Sequence, residues 1–169
     1  MGYEAEHAGK EFELRVIHMA DIYRKLKYAF IRKVNPKMIR KNKSFIYTHA
    51  EGYDFYGSIY RNQKYPTPVY FECKTTMKPE ISILQPKDPN KAGITFKQIS
   101  TLVELQANGD KTFVLWEIRS LQNKTLILNP KSLYLFVGKT LKLKDLHEGT
   151  QYETVRRSLP SLDFLNLLP

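Results

Sequence analysis

Two strand-like runs on either side of a polar turn constrain the fold of this chain more than any other feature. Tyr53–Tyr60 and Val69–Thr76 are rich in aromatic and β-branched residues, and a polar, proline-bearing connection separates them. That pattern predicts a hairpin of two neighbouring strands. Along the second run, residues alternate between a face that can be buried and a face that carries polar groups. We therefore expect a sheet that holds these two strands side by side.

Three ionisable residues fall on the predicted hairpin. Asp54 opens the first strand, while Glu72 and Lys74 lie two residues apart in the second and share one face. Alternating polar residues also occur on the wet face of any exposed strand, but two carboxylates that point the same way suit Mg²⁺, which prefers oxygen ligands. The backbone carbonyl of Cys73 would face the same ion. Lys74 would orient or help to deprotonate an attacking water, so the pattern indicates phosphodiester hydrolysis.

Segments with helical periodicity flank these strands. The first runs from Ala8 to about Tyr28. Glu13, near its start, either complements the positive end of the helix dipole or reaches the acidic site. The second segment, Thr95–Ala107, has Thr95 as its N-cap. It carries Gln98 in its first turn, where the amide would position water or phosphate.

The remaining elements predict the α/β class. Lys111–Ile118 is a near-continuous apolar run typical of a strand covered on both faces. Strand-like segments also lie at 28–34, 45–47, 81–84 and 125–128, and a helical pattern follows Pro160. The order of helix, three strands, helix and strand predicts a mixed central β-sheet flanked by helices. At 169 residues, we expect one domain over 1–169.

The chain is strongly basic and holds a single cysteine. It has 27 Lys and Arg against 17 Asp and Glu, a net charge of +10 that favours a polyanionic partner. One cysteine excludes an intramolecular disulfide and a Cys-rich zinc site, and it favours a cytoplasmic compartment. Because no apolar run approaches the ~20 residues of a membrane span, we expect no membrane partner. The basic stretch at about 36–48 predicts a projection that touches phosphates, and the candidate DNA contacts are Lys33, Lys37, Arg40, Lys41 and Lys43.

Taken in order along the chain, the motifs resemble those of the PD-(D/E)xK nuclease superfamily, and within it the RecU-type Holliday junction resolvases. The resemblance extends over nearly the whole chain and implies a restriction-endonuclease-like fold. Its motifs are Gly9-Lys10-Glu11-Phe12-Glu13, Arg32-Lys33-Val34-Asn35-Pro36, Tyr53-Asp54-Phe55-Tyr56-Gly57, Phe71-Glu72-Cys73-Lys74-Thr75, Ile94…Gln98-Ile99 and Pro160-Ser161-Leu162-Asp163-Phe164-Leu165.

The resemblance implies a homodimer that binds four-way DNA junctions and nicks two strands symmetrically with Mg²⁺ or Mn²⁺, in DNA recombination and repair. It implies that 36–48 is the stalk that enters the junction, that Lys33 contacts phosphate beside the site, and that the chain is bacterial or phage-encoded. The stalk is shorter than is typical of the family, which leaves open a related nuclease for another branched or duplex DNA. The basic charge and the interleaved aromatic residues would also suffice for a non-enzymatic DNA-binding module. By matching position, the implied active site is Glu13, Asp54, Glu72, Lys74 and Gln98.

Overall fold

The structure, a computed structural model, describes residues 2–35, 37–41, 44–48, 52–60, 65–87, 92–122, 124–146, 151–155 and 165, with side chains except at 2–6, 37–41, 44–48 and 151–155. The α-helices in these ranges are α1 (Gly2–Lys25), α2 (Phe96–Ala107) and the single-turn α3 (Pro130–Leu133). The strands are β1 (Ala29–Lys33), β2 (Lys37–Lys41), β3 (Ser44–Thr48), β4 (Phe55–Ile59), β5 (Thr67–Thr76), β6 (Glu80–Ser82), β7 (Lys111–Ile118), β8 (Lys124–Leu128), β9 (Thr140–Lys142) and β10 (Gln151–Val155).

Six of the described strands form one mixed sheet in the order β1-β4-β5-β7-β8-β10. β5 and β7 pair in parallel, and the other neighbouring strands are antiparallel. Parallel strands need a long crossover connection, and the connection between β5 and β7 contains α2. The predicted α/β class, with a mixed central sheet flanked by helices, is therefore confirmed.

Alternation along β7 divides the core into two layers. Phe113 and Leu115 belong to a cluster built with α1, whereas Val114 and Trp116 belong to a cluster built with α2. All four side chains are buried. This is the burial expected of a strand covered on both faces, as the apolar run predicted. The two helices therefore pack on opposite faces of the sheet.

An aromatic stack crosses three strands on the α1 face. The ring of Phe71 stacks on that of Phe55, with centroids 5.0 Å apart, and on that of Phe113, with centroids 4.7 Å apart. All three side chains are fully buried, and burying each contributes about 1.5–3 kcal/mol. The stack locks β4, β5 and β7 together, and it thereby positions Glu72, the residue after Phe71.

Helix α1 buries the predicted apolar stripe but differs from the prediction at both ends. It begins at Gly2 rather than Ala8 and ends at Lys25 rather than near Tyr28. Lys27 adopts the left-handed conformation, with φ at 57°. The Tyr28 backbone N–H then donates to the Tyr23 carbonyl at 2.9 Å and closes the helix end. This reversal sends the chain directly into β1.

Strands β1, β4 and β5 form an antiparallel meander, and its β4–β5 hairpin confirms the opening pattern of the sequence. Gly57 lies where β1 and β4 approach closely. A Cβ there would meet the Phe30 carbonyl oxygen and stand 2.8 Å from the Ile31 Cα. Glycine is therefore required for these two strands to pair.

The basic segment predicted as a projection forms an antiparallel hairpin of β2 and β3. This hairpin is a two-stranded sheet separate from the main one. The sequence predicted a strand at 45–47 but not β2, whose residues are mostly basic. It predicted neither β10 at the edge of the main sheet nor the pairing of β6 with β9.

The helix predicted after Pro160 lies outside the described residues, except at Leu165. The backbone N–H of Leu165 donates to the Tyr23 hydroxyl at 3.0 Å, and its side chain packs against the α1 core. Within the described ranges, no helix is long and apolar enough to cross a membrane.

Candidate active site

Backbone hydrogen bonds hold Asp54 at the point where β1, β4 and β5 converge. Its N–H donates to the Phe71 carbonyl at 3.1 Å, and its carbonyl accepts from the Val34 N–H at 2.7 Å. Its side-chain Oδ2 accepts from the backbone N–H of Cys73 at 2.9 Å. Asp54 thus precedes β4 directly, as the sequence predicted, and its carboxylate lies beside the middle of β5.

Glu72 projects from β5 toward α2, and its side chain is only 1% exposed. Its Oε1 accepts from the Lys74 ammonium at 2.7 Å and from the amide nitrogen of Gln98. Its Oε2 is buried and has no hydrogen-bond partner in the described part of the chain. A buried carboxylate oxygen without a donor is costly, and either a proton or a bound cation at this atom would remove that cost.

The start of α2 determines which end of the Gln98 amide faces Glu72. The backbone N–H of Thr95 donates to Gln98 Oε1 at 2.9 Å, and the Thr95 hydroxyl lies 3.0 Å from the same oxygen. In return, Thr95 Oγ1 accepts from the Gln98 backbone N–H. This capping box occupies the amide oxygen, so the amide NH₂ points to Glu72. Thr95 is the N-cap that the sequence predicted.

Burial and neighbouring charge shift the ionisation of the site. Burial is the largest cause of the raised pKa of Glu72, which reaches about 8; the nearby Asp54 carboxylate raises it further, while Lys74 opposes the shift. For Lys74, burial disfavours the charged form, but the Glu72 carboxylate and its hydrogen bond outweigh that effect and raise the pKa. Lys74 is therefore a firmly protonated cation beside an acid that is easily neutralised.

The donor set fits a hard divalent cation with few protein ligands. In the described ranges, no three His, Cys, Asp or Glu side chains converge. Mg²⁺ needs only one or two carboxylates, with waters and substrate phosphate completing its shell. Asp54 and Glu72 would supply these carboxylates. The Cys73 carbonyl lies on the same strand edge as its N–H, which faces Asp54, whereas its thiol is buried in the α1 cluster.

Glu13 and Lys33 lie on the other side of the sheet from Glu72. The Lys33 ammonium bonds to the Glu13 carboxylate, and Ile31, which shares a strand face with Lys33, is buried against α1. The predicted active site is thus brought together as a group of four, Asp54 with Glu72, Lys74 and Gln98. Glu13 stands apart from this group, paired with Lys33 and near enough for its charge to raise the pKa of the Cys73 thiol, after burial and the closer Asp54 and Glu72 carboxylates.

The other predicted DNA contacts lie on or beside the β2–β3 hairpin. Lys37, Arg40 and Lys41 belong to β2, where the structure describes the backbone. Lys43 lies outside the described residues. Their contact with DNA stays a prediction.

One buried ion pair was missed by the sequence analysis. Glu117, 1% exposed, accepts from Arg15 of α1, and Arg119 bonds to Glu11 at 3.1 Å one turn earlier on that helix. The only sequence signal was an acidic residue inside the apolar run of β7. These pairs clamp α1 to the end of β7 and belong to the scaffold.

No protein-family model matches the chain, and no curated protein matches it at a significant level. Function therefore has to be inferred from the chemistry and geometry of the residues themselves.

Proposed function

We propose that this protein is a Mg²⁺- or Mn²⁺-dependent endonuclease that cuts branched DNA, with the four-way junction as its preferred substrate. The observation that carries the proposal is the buried Glu72, whose Oε2 has no donor in the described part of the chain while its other oxygen is held by Lys74 and Gln98, with the Asp54 carboxylate near enough to raise its pKa. An acid, a second acid on the neighbouring strand and a lysine two residues away are the groups that metal-assisted phosphodiester hydrolysis requires.

The four residues divide the chemistry among them. Asp54, Glu72 and the Cys73 carbonyl would hold the metal, which when bound supplies Lewis acidity and lowers the pKa of a coordinated water. Lys74 stays protonated, so its ammonium orients the attacking water and offsets negative charge that develops on the phosphate oxygens. Gln98 fixes the rotamer of Glu72. Lys33, whose ammonium bonds to Glu13 across the sheet, would contact a phosphate of the bound DNA.

The order of elements supports a restriction-endonuclease-like fold. Helix α1 precedes three antiparallel strands, and α2 leads into β7, which joins the sheet in parallel with β5. The acids and the lysine sit at the second and third strands of the main sheet, in keeping with the resemblance to the PD-(D/E)xK nucleases.

Preference for a junction is supported by the β2–β3 hairpin and by net charge. The hairpin pairs with no described strand of the main sheet and carries basic residues at Lys37, Arg40 and Lys41. A net charge of +10 favours tight and salt-sensitive binding to DNA. We further propose that the protein acts as a homodimer, because two symmetrical nicks need two sites related by a two-fold axis.

A cleavage assay tests the proposal directly. A synthetic four-way junction with Mg²⁺ should give paired symmetrical nicks, and Asp54→Asn or Glu72→Gln should remove them. Glu104→Gln, on the exposed face of α2, makes the same chemical change away from the site and should cleave like the wild type. Equal cleavage of junction and linear duplex would overturn the junction preference but leave the nuclease in place.

A binding assay separates the nuclease from a non-enzymatic DNA-binding module. At about 100 times its Kd, Mg²⁺ should raise the free energy of unfolding by roughly 2.7 kcal/mol. Asp54→Asn should lose this gain. A module that only binds DNA would show salt-sensitive binding that is indifferent to Mg²⁺ and survives Asp54→Ala.

A further inference from the structure

The sheet face that carries Glu72 is only partly covered. Helix α2 packs over β7, and the buried cluster on this face includes no residue of β1 or β4 in the described ranges. On those two strands, Arg32 and Tyr56 are exposed, Tyr56 by 39%. An exposed ring beside an exposed guanidinium, next to a polar site, is the composition of a binding surface.

Four side chains make this surface continuous, and we name it the aromatic row: Phe30, Arg32, Tyr56 and Tyr70. Arg32 is the cross-strand partner of Tyr56, and Tyr56 is the partner of Tyr70, so the three side chains share one face. The Arg32 guanidinium lies 4.5 Å from the centroid of the Phe30 ring. The burial of Ile31 also shows which face of the sheet Phe30 and Arg32 occupy. Ile31 lies between them on β1 and is buried against α1, so their side chains lie on the opposite face.

The aromatic row ends beside the candidate active site. Tyr70 and Glu72 are two residues apart on β5, so their side chains share a face at a distance of about 7 Å. The distance from Tyr70 on β5, across β4, to Arg32 on β1 is two strand spacings, or about 10 Å.

We propose that the aromatic row binds unpaired nucleotides of the substrate next to the scissile phosphate. Tyr70, whose half-buried ring packs edge-to-face with that of Tyr53 at 5.0 Å, supports the row at the end next to Glu72. Tyr56 stacks on a base, and Arg32 binds a phosphate or a base plane. Aromatic and arginine side chains on an open sheet face bind single strands in this way, with little sequence preference. The charge of +10 attracts the same ligand. The inference rests on the proposed function and sharpens it, because the preferred DNA then has unpaired bases at the cut.

Single-strand binding without metal tests the inference. Fluorescence anisotropy in EDTA would follow a labelled oligothymidine of about 12 nucleotides. Tyr56→Ala should weaken its binding by about 5- to 100-fold, whereas Tyr56→Phe, which keeps the stacking ring, should change it by less than about twofold. Arg32→Ala should also weaken it. Tyr134→Ala removes a tyrosine of matched exposure (38%) elsewhere, and Arg24→Ala removes an exposed arginine of α1; both should bind like the wild type.

Several results would overturn the inference. One is an equal loss in Tyr56→Ala and Tyr134→Ala. Another is a Tyr56→Ala protein that sediments as a monomer where the wild type is a dimer but binds oligothymidine normally, because the row would then be an interface between copies. Urea unfolding checks the fold, and Arg32→Ala serves as the second variant if Tyr56→Ala does not fold.

The outcome also separates this inference from the proposed function. If the wild type binds oligothymidine through Tyr56 but cleaves no DNA with Mg²⁺, the proposed nuclease fails and the aromatic row stands. If the wild type cleaves junctions but Tyr56→Ala binds oligothymidine normally, the row fails and the nuclease stands.

Discussion

Glu72 is a titratable acid with a buried side chain that Lys74 and Gln98 hold by hydrogen bonds. One oxygen accepts two hydrogen bonds, and the other has no donor in the described part of the chain. Such a group favours its neutral form until a cation arrives. We therefore expect that Mg²⁺, if it binds as proposed, releases a proton from Glu72, and that its binding becomes tighter as the pH rises.

The stability of the metal-free protein should fall with rising pH because of Glu72. Its pKa in the folded state is about 8, against 4.5 for the ordinary side chain. Between these values the folded state holds a proton that the unfolded state has lost, so the free energy of unfolding falls by up to about 1.4 kcal/mol per pH unit. This contribution is complete below pH 4.5 and is lost as the pH rises through about 8.

Urea unfolding in EDTA at several pH values would measure this effect. Glu72→Gln, which cannot ionise, should flatten the pH dependence over this window, whereas Glu104→Gln should follow the wild type. A constant difference between wild type and Glu72→Gln at every pH would contradict the raised pKa.

At the scale of elements, the first turn of α2 couples helix stability to the site. Thr95 caps the helix and also holds the oxygen of the Gln98 amide. Thr95→Val should cost about 1 kcal/mol, because the cap is lost. It should also slow cleavage of the junction, because the Gln98 amide oxygen then keeps only the Thr95 backbone N–H as a donor and the amide is held less firmly against Glu72. Thr95→Ser keeps the hydroxyl, so the free energy of unfolding by urea and the cleavage rate should both remain near those of the wild type. Equal effects of Thr95→Val and Thr95→Ser would contradict the coupling between the helix cap and the site.

The end of α1 offers a stabilising substitution. Lys27 is exposed and holds φ at 57°, a conformation that glycine adopts without the steric cost of a Cβ. Lys27→Gly should therefore raise the free energy of unfolding by about 0.5–1 kcal/mol. Arg24→Gly, inside the last turn of the same helix, should lower it by a similar amount. Urea unfolding would measure the free energy of unfolding of both variants. If both are less stable than the wild type, the Lys27 backbone is not strained.

Elements whose pattern lies within a few neighbouring residues could be predicted from the sequence, whereas those that depend on distant partners could not. β7 was predictable because its burial on both faces leaves an uninterrupted apolar run, and α2 because Thr95 and Gln98 form a capping box within four residues. β10 was missed because it joins the sheet only through a distant partner, β8. The Glu13–Lys33 pair was missed for a similar reason: which face of the sheet α1 covers depends on packing, not on spacing along the chain.

At the scale of the whole molecule, the stack of Phe55, Phe71 and Phe113 carries the strands that hold the site. Phe71→Ala should cost about 3–5 kcal/mol, because it opens a cavity between two rings. Phe71→Leu should cost clearly less, since it retains much of the volume. Leu14→Ala, at a side chain 63% exposed, should stay within about 0.5 kcal/mol of the wild type. Urea unfolding would rank the three variants by their loss in the free energy of unfolding. If Phe71→Ala loses no more than Leu14→Ala, the stack does not stabilise the strands that hold the site.

The close approach at Gly57 has a consequence for how this chain can vary. Any side chain there would push β1 away from β4, and with it the Val34 N–H that holds the Asp54 carbonyl. In a saturation-mutagenesis selection for activity, Gly57 should therefore tolerate as few replacements as Asp54, although it has no functional group. Homologues of this chain should retain a glycine three residues after the first acid, and this spacing would help to identify them because the Glu-x-Lys motif alone is too short.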